Sequence, residues 1–159
     1  MKTNEVGEID FDYARDIAIR ALGPRARSRM EITHLLRKRN VEDEIVATVC
    51  DDLELHGYLN DLDFAHQWVE SRTRQKKIAK KIIESELRTK GISQEFIAEA
   101  IANISTDGEY EMAKELAEKK LRGIAHLEKD VIYRRLQSLL SRKGYEMGTI
   151  SRVIKDLIN

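Results

Sequence analysis

Residues 87–92 read LRTKGI. An apolar residue comes first, a short stretch with two cations follows, and a glycine and a second apolar residue end the segment. Two further segments share this pattern, LRKRNV at 36–41 and LSRKGY at 140–145. We call these three segments the anchors. The pattern is typical of a helix C-terminus, where Gly or Asn adopts a left-handed conformation and cations face the negative end of the helix dipole. The predicted helix ends are therefore Asn40, Gly91 and Gly144. Because the copies are about fifty residues apart, they indicate a repeat architecture.

Apolar residues continue at helical spacing on both sides of every anchor. After the first anchor the i, i+3, i+4, i+7 positions are Val46, Val49, Cys50 and Leu53, the pattern of an amphipathic helix with one buried face. The other anchors show the same spacing, and two more such segments precede each anchor. We therefore predict an all-α protein with three tandem three-helix repeats in an elongated, curved array. The predicted parts are a flexible leader at 1–8 and repeats at 9–57, 60–105 and 107–158.

The middle repeat has the clearest entry signal, GYLNDLDFA at residues 57–65. Gly57 can end the preceding helix, and Asn60 can cap the next one, with Asp61 in its positively polarised first turn. Leu59 and Phe64 then occupy the positions of a hydrophobic staple. Aromatic residues at such spacing are more often core than ligand platform. Those assigned to structure here are Tyr58, Phe64 and Trp68.

The composition excludes several classes of protein. The 159 residues include one Pro and many strong helix formers, and no apolar run is long enough to cross a bilayer. The single cysteine, Cys50, cannot form an intramolecular disulfide, and its place on an apolar face predicts a small core residue. A reducing, cytoplasmic location is predicted because there is also no apolar stretch of the secretory-signal type at the start.

Catalytic and cofactor signatures are missing from the sequence. It contains no phosphate-binding Gly-x-x-x-x-Gly-Lys loop, no Gly-x-Ser-x-Gly elbow and no His-Glu-x-x-His helix. Its four histidines stand apart and have no partners at zinc-ligand spacing. We therefore predict a protein without catalytic residues, metal ligands or a cofactor, and not an enzyme.

The net charge of zero conceals strong segregation of charge. Residues 72–91 contain eight cations against two acids, and residues 20–39 contain seven against one. On a continuous helix, Lys76–Lys80 and Lys77–Lys81 would be i, i+4 pairs that form a cationic ridge. Such a surface binds phosphates or acidic protein without reading base sequence; the alternative is a merely solubilising face. The first group of candidates is Arg72, Arg74, Lys76, Lys77, Lys80, Lys81, Arg88 and Lys90, and the second is Arg25, Arg27 and Arg29.

The segment from His56 to Ser93 resembles the RecX family of bacterial regulators of the RecA recombinase. The resemblance rests on three ordered strings: Gly57-Tyr58-Leu59-Asn60-Asp61-x-x-Phe64-Ala65, Ser71-Arg72-x-Arg74, and Glu86-Leu87-Arg88-x-Lys90-Gly91-Ile92-Ser93. It extends more loosely over nearly the whole chain. One departure is the sequence QKKIA at 75–79, where many relatives carry glycines, often with a proline. This departure predicts that the second helix of the repeat starts earlier here.

The resemblance implies a non-enzymatic protein that lodges in the helical groove of RecA assembled on single-stranded DNA. It also implies damping of ATP hydrolysis, strand exchange and the coprotease function that induces the SOS response. The expected partner is thus the RecA filament on single-stranded DNA, with direct DNA contact also open. The lack of a bilayer-length apolar run predicts no membrane association, and complete repeats without a long exposed apolar stripe favour a monomer. Two rival hypotheses remain. One is a helical regulator that binds DNA without RecA, and the other is a helical scaffold whose charges only keep it in solution.

Overall fold

The computed structural model describes residues 10–159, so the leader predicted at 1–8 and the first residue of the first predicted repeat lie outside the described residues. In that part of the chain all regular structure is helical. The helices are α1 Phe11–Leu22, α2 Arg29–Lys38, α3 Asp43–Leu55, α4 Asp61–Arg74, α5 Lys80–Thr89, α6 Gln94–Ile101, α7 Thr106–Ile124, α8 Lys129–Arg142 and α9 Met147–Ile158. The predicted all-α class is confirmed, as are three helices in each of three tandem segments.

The described residues form two compact units whose limits differ from those of the repeats. One unit comprises residues 10–65 with Leu87–Ile97, and the other comprises His66–Glu86 with Ala98–Asn159. The first and third repeats thus each lie within one unit, whereas the middle repeat contributes helical residues to both.

The first repeat packs α1, α2 and α3 around an apolar cluster. Ile32, Leu36, Val49 and Leu53 are fully buried in it. Cys50 is also fully buried, which confirms the predicted core role, and burial raises the pKa of its thiol. The spacing of these residues places them on the inner face of each helix, so the amphipathic pattern accounts for the packing.

The third repeat packs α7, α8 and α9 in the same way. Leu136, Leu140, Ile150 and Val153 are fully buried in its cluster. Ala79, which precedes α5 in the middle repeat, belongs to this cluster as well. The third repeat therefore packs against the segment that leads into α5, inside the same compact unit.

All three predicted helix ends are left-handed. Their φ angles are 59° at Asn40, 78° at Gly91 and 91° at Gly144, and Gly57 has 77°. After the middle anchor's left-handed residue, the Ile92 amide donates to the Leu87 carbonyl at 3.1 Å, the bond that defines a Schellman ending. Equivalent bonds close the other two anchors. The apolar residues that follow the left-handed positions are buried: Val41, Ile92 and Tyr145, each 5% exposed.

The start of α4 largely agrees with the sequence. The Asn60 side chain accepts a hydrogen bond from the Asp63 amide at 3.0 Å, so Asn60 caps the helix as predicted. Leu59 and Phe64 are buried, with 2% and 5% of their surface exposed. Tyr58, assigned to structure from the sequence, is 53% exposed and so lies outside the core, with the Arg15 guanidinium 5.9 Å from the centroid of its ring. The reason is local: Tyr58 directly follows the left-handed Gly57, and the chain turns there so that Leu59 is buried instead.

Candidate functional site

The basic residues predicted to form a ridge do not lie on one helix. Helix α4 ends at Arg74 and α5 begins at Lys80. Lys77 between them has a φ of 52°, a left-handed conformation that a continuous right-handed helix does not allow. The predicted i, i+4 pairs of Lys76 and Lys77 with the lysines of α5 were therefore wrong, and so was the earlier start of that helix.

The connection between α4 and α5 is held by the third anchor. The Tyr145 hydroxyl donates to the Lys77 carbonyl at 2.6 Å, and the Lys143 ammonium donates to the Lys76 carbonyl at 3.0 Å. In return the Ala79 amide donates to the Lys143 carbonyl at 2.9 Å. These three bonds stabilise a left-handed lysine at a position where glycine would be favoured on backbone grounds alone.

Acidic side chains from the third repeat complete this joint. Glu109 accepts from the Lys80 amide at 2.7 Å and so satisfies a free N–H at the start of α5. Glu115 pairs with the Lys77 ammonium at 2.8 Å. Two of the predicted binding residues therefore have structural roles. Lys80 acts through its backbone amide, and Lys77 acts through its side-chain charge.

An equivalent joint lies between the start of α2 and the middle anchor. The Ser28 hydroxyl donates to the Lys90 carbonyl at 2.7 Å, and the Arg29 amide donates to Asp61 at 2.8 Å. Burial raises the pKa of Asp61. The two joints follow the same plan. In each, the second helix of one repeat begins against an acid near the start of the next repeat, Asp61 or Glu109, and against the carbonyl of a lysine in the next anchor, Lys90 or Lys143.

Arg72 lies in a partly buried cluster with Trp68 and Glu86. The Glu86 carboxylate accepts from the Trp68 indole at 2.8 Å and from Arg72 Nε at 2.7 Å, and it also pairs with Arg72 Nη2. The guanidinium lies over the indole ring, 5.1 Å from its centroid. The carboxylate raises the pKa of Arg72, and this arginine is therefore already paired within the chain.

Glu31 forms an ion pair with one cation from each of the two predicted basic groups, Lys90 from the first and Arg25 from the second. It accepts from Lys90 at 2.7 Å and from Arg25 at 3.0 Å, and its side chain is only 14% exposed. Burial raises the pKa of Glu31, but the hydrogen bonds from Lys90 and Arg25 outweigh it, so its net pKa lies below the ordinary value. These contacts connect the start of α2 to the middle anchor.

Replacing Glu31 with glutamine is expected to lower the free energy of unfolding at pH 7 by about 1–2 kcal/mol. A carboxylate whose folded pKa is lowered stabilises the fold above its ordinary pKa of 4.5 and loses that contribution as the pH falls through the folded pKa. Urea unfolding at several pH values should thus show the difference from wild type shrinking below that point. Asp43→Asn is the control, because its pair with Arg37 is exposed and 2.8 Å long. A difference that stays constant with pH would contradict the assignment.

The remaining members of the second basic group, Arg27 and Arg29, also contact other residues of the chain. Arg27 donates to the Ala21 carbonyl at 2.8 Å. Arg29 pairs with Asp51 at 2.8 Å and with Glu54 at 3.0 Å. Arg25, Arg27 and Arg29 are therefore close in sequence, but in the structure each of them contacts different partners.

The most accessible members of the first group lie on α4, on α5 and in the connection between them. Arg74, Lys76, Lys81 and Arg88 are exposed. Arg74 pairs with Glu70 at 2.8 Å, although both side chains are largely exposed, so this pair is weak and easily exchanged for another anion. The connection and the start of α5 thus present a smaller accessible basic surface than the sequence predicted, to which Lys76 and Lys81 contribute.

A second cationic cluster lies in the third repeat, and the sequence analysis missed it. Its members line a groove beside α7 and α8 with a volume of about 490 Å³. The cationic lining residues are Lys120, Arg134, Arg135 and Arg142. The available signal was the Arg134-Arg135 pair, followed two helical turns later by the arginine of the third anchor. Their common face becomes visible only when α7 and α8 are packed together.

Residues 10–159 contain neither a candidate metal cluster nor a candidate membrane span. No group of three or more His, Cys, Asp or Glu side chains there is arranged to hold a metal ion. No helix in the same range has the length and apolar character needed to cross a membrane.

Comparisons with known proteins agree with this architecture. Models of the first, second and third three-helix domains of RecX match residues 14–53, 60–101 and 107–154. The chain is 37% identical over 147 residues to Regulatory protein RecX of Streptomyces coelicolor, covering 92% of this chain and 78% of that protein. The chain belongs to the RecX family. A second family member, from Mycobacterium leprae, is 37% identical over 90% of this chain and 84% of its own length.

Solved structures of the RecX family share the fold. The crystal structure of RecX from Lactobacillus salivarius superimposes with a TM-score of 0.80 at 21% sequence identity, covering 92% of this chain and 96% of that chain. A second crystal structure, titled regulatory protein RecX, gives a TM-score of 0.79 at 23% identity, covering 92% of this chain and 73% of that one. The similarity at this level of identity concerns the fold. The relatives' name identifies a regulatory family.

Proposed function

We propose that this RecX family member regulates the RecA recombinase by binding in the groove of the RecA filament on single-stranded DNA. The observation that carries the proposal is membership of a family whose members are named regulatory proteins. The resemblance of its middle repeat to RecA regulators supplies the partner. The proposed regulator has no catalytic step of its own and works in the cytoplasm, where the filament forms.

The proposed mode of action is obstruction of the filament groove. A protein in that groove would block the second DNA strand and hold RecA subunits in a less active arrangement. ATP hydrolysis, strand exchange and coprotease activity would then all decrease. Exposed cations suit such a position, because both the DNA phosphates and acidic protein surfaces attract positive charge.

The surface around the α4–α5 connection is the proposed filament contact. Lys76 and Lys81 are exposed there. The Lys76 backbone is fixed by the Lys143 ammonium. A fixed backbone reduces the conformational entropy that binding would otherwise cost. Arg72 and Lys90, which are paired inside the chain, are not expected to contact the partner directly.

The decisive experiment is RecA-dependent ATP hydrolysis on single-stranded DNA with the purified chain titrated in. We expect at least a twofold decrease in hydrolysis at saturation, together with co-sedimentation of the chain with the filament. Unchanged hydrolysis with a saturating, co-sedimenting chain would refute inhibition of the ATPase. Absence of co-sedimentation would refute filament binding itself.

Charge reversal tests the proposed contact surface. The double variant Lys76→Glu/Lys81→Glu is expected to weaken filament binding at least tenfold, because two favourable contacts become repulsive. Lys38→Glu/Lys155→Glu is the matched control, since it makes the same change of charge at two exposed positions on other helices. Equal losses in the two variants would show that only total charge matters and would remove this surface from the proposal.

A further inference from the structure

We propose that the groove beside α7 and α8 is a binding site for the phosphate backbone of DNA. Lys120 on α7 and three arginines on α8, Arg134, Arg135 and Arg142, line this groove. The remaining lining residues are Val131 and Ser138, so no acid among residues 10–159 lines the groove. The inference deepens the proposed function, on which its cellular role rests, by giving the third repeat a direct contact to the DNA of the filament.

The four cations of the groove are not neutralised by any residue that the structure describes. None of them forms an ion pair with any residue from 10 to 159. Arg134 Nε donates only a long hydrogen bond, of 3.4 Å, to the Asp130 carbonyl of its own helix. By contrast, Arg29 and Arg72 are paired with carboxylates of the chain. Four like charges around one groove repel each other, and a bound polyanion would relieve that repulsion.

The spacing of the arginines suits a series of phosphates. Arg134 and Arg142 are separated by eight positions on α8, which corresponds to roughly 12 Å along a helix that rises 1.5 Å per residue. A DNA strand carries one phosphate per about 3.4 Å of axis in the duplex, so this length spans roughly three or four nucleotides. Guanidinium groups also match phosphate oxygens through paired N–H donors.

The lining indicates contact with the backbone rather than with bases. No aromatic residue from the described part of the chain lines the groove, so those residues do not supply the stacking that holds single-stranded bases. Tyr133 is 39% exposed but lies outside the groove lining. We therefore expect binding without sequence preference and with strong salt dependence. An acidic protein surface could be attracted by the same charges, and the experiment separates that partner from DNA.

The test measures binding of the chain to DNA in the absence of RecA. A fluorescently labelled oligothymidylate and a duplex of equal length are titrated by anisotropy at several salt concentrations. In Arg134→Gln/Arg142→Gln the slope of log affinity against log salt should become shallower by about 1.4 on the single strand and 1.8 on the duplex. The shallower slope corresponds to a roughly twentyfold loss of single-strand affinity at 0.1 M salt.

Two comparison variants make the result specific. Arg134→Lys/Arg142→Lys keeps both charges and should retain most of the affinity and the salt slope. Lys38→Gln/Lys155→Gln removes two exposed charges elsewhere and should change neither. Circular dichroism and urea unfolding would establish that the variants are folded, as expected for exposed substitutions.

Unchanged DNA affinity and salt slope in Arg134→Gln/Arg142→Gln would overturn the inference. If that variant bound free DNA normally but had lost filament binding, the groove would contact acidic protein instead, and the proposed regulation of RecA would stand. If the variant lost DNA affinity while the wild-type chain left RecA activity unchanged, the DNA site would stand and the proposed function would fail.

Discussion

Replacing Gly91 with alanine is expected to lower the free energy of unfolding by about 3 kcal/mol. Gly91 has a φ of 78°, and a Cβ added there would lie 2.5 Å from the Met30 Cβ. The left-handed conformation alone costs a non-glycine residue about 1–2 kcal/mol. The clash adds a further penalty of about 1–3 kcal/mol, because the Met30 Cβ is attached to the backbone and cannot swing aside as the end of a side chain could.

Gly57 provides the control for the left-handed conformation. Its φ is 77°, but an added Cβ would have no neighbour within 4 Å. Gly57→Ala should therefore cost only about 1–2 kcal/mol. Asparagine tolerates the left-handed conformation, as Asn40 does with a φ of 59°, so Gly57→Asn should be closer to wild type. Gly91→Asn should not recover in this way, because asparagine also carries a Cβ. If urea unfolding showed that Gly57→Ala and Gly91→Ala lower the free energy of unfolding equally, this account would be contradicted.

The same two glycines show what could be predicted from the sequence. A cationic stretch followed by Gly or Asn and an apolar residue is sufficient to predict a left-handed helix end, because the requirement is local to the backbone. The approach of Gly91 to Met30 could not be predicted, since it depends on how the middle anchor packs against the start of α2. The repeat period therefore revealed the helices and their ends, but not the contacts between successive repeats.

The prediction of a continuous cationic ridge was wrong for the same reason, because it too depended on a contact between repeats. Lys76, Lys77, Lys80 and Lys81 have a spacing that suits one face of a helix, and their local propensities do not oppose it. The break at Lys77 is stabilised by the Tyr145 hydroxyl, which comes from the third anchor far along the chain. A local pattern cannot reveal a contact of that sequence separation, and it therefore placed the lysines on one helix.

Charge counting located basic segments but not their partners. The one acid among the seven cations at 20–39 is Glu31, and the structure shows that it pairs with Lys90 and Arg25. Conversely, the groove of the third repeat was missed because Lys120 and the arginines at Arg134 and Arg142 lie on two different helices. A concentration of charge in sequence thus predicts where cations are abundant, whereas packing decides which of them stay available for a partner.

The two inter-repeat joints relate this packing to the proposed function. In one, the Lys90 carbonyl accepts from Ser28; in the other, the Lys143 carbonyl accepts from the Ala79 amide. Each joint places a lysine of an anchor beside the start of the preceding repeat's second helix. The anchors therefore both end helices and fix the backbone beside the basic residues, so that a mutation in an anchor should affect stability and binding together.

Replacing Glu86 with alanine is expected to lower the free energy of unfolding by about 2–3 kcal/mol. The substitution removes the acceptor of the Trp68 indole and of Arg72, whose side chain is 30% exposed. Partly buried donors that lose a charged acceptor retain much of their desolvation cost. Trp68 is the one tryptophan of the chain, so its fluorescence should report the loosening of this cluster before global unfolding in urea.

Glu70→Ala is the matched control, because Glu70 also lies on a helix and pairs with an arginine. That pair, with Arg74, is separated by four residues and is largely exposed, so its loss should cost no more than about 0.5 kcal/mol. A double-mutant cycle between Arg72→Ala and Glu86→Ala should give a coupling of about 1–3 kcal/mol. A coupling near zero would mean that the Arg72–Glu86 pair contributes little, and Arg72 would then return to the set of cations available to the filament.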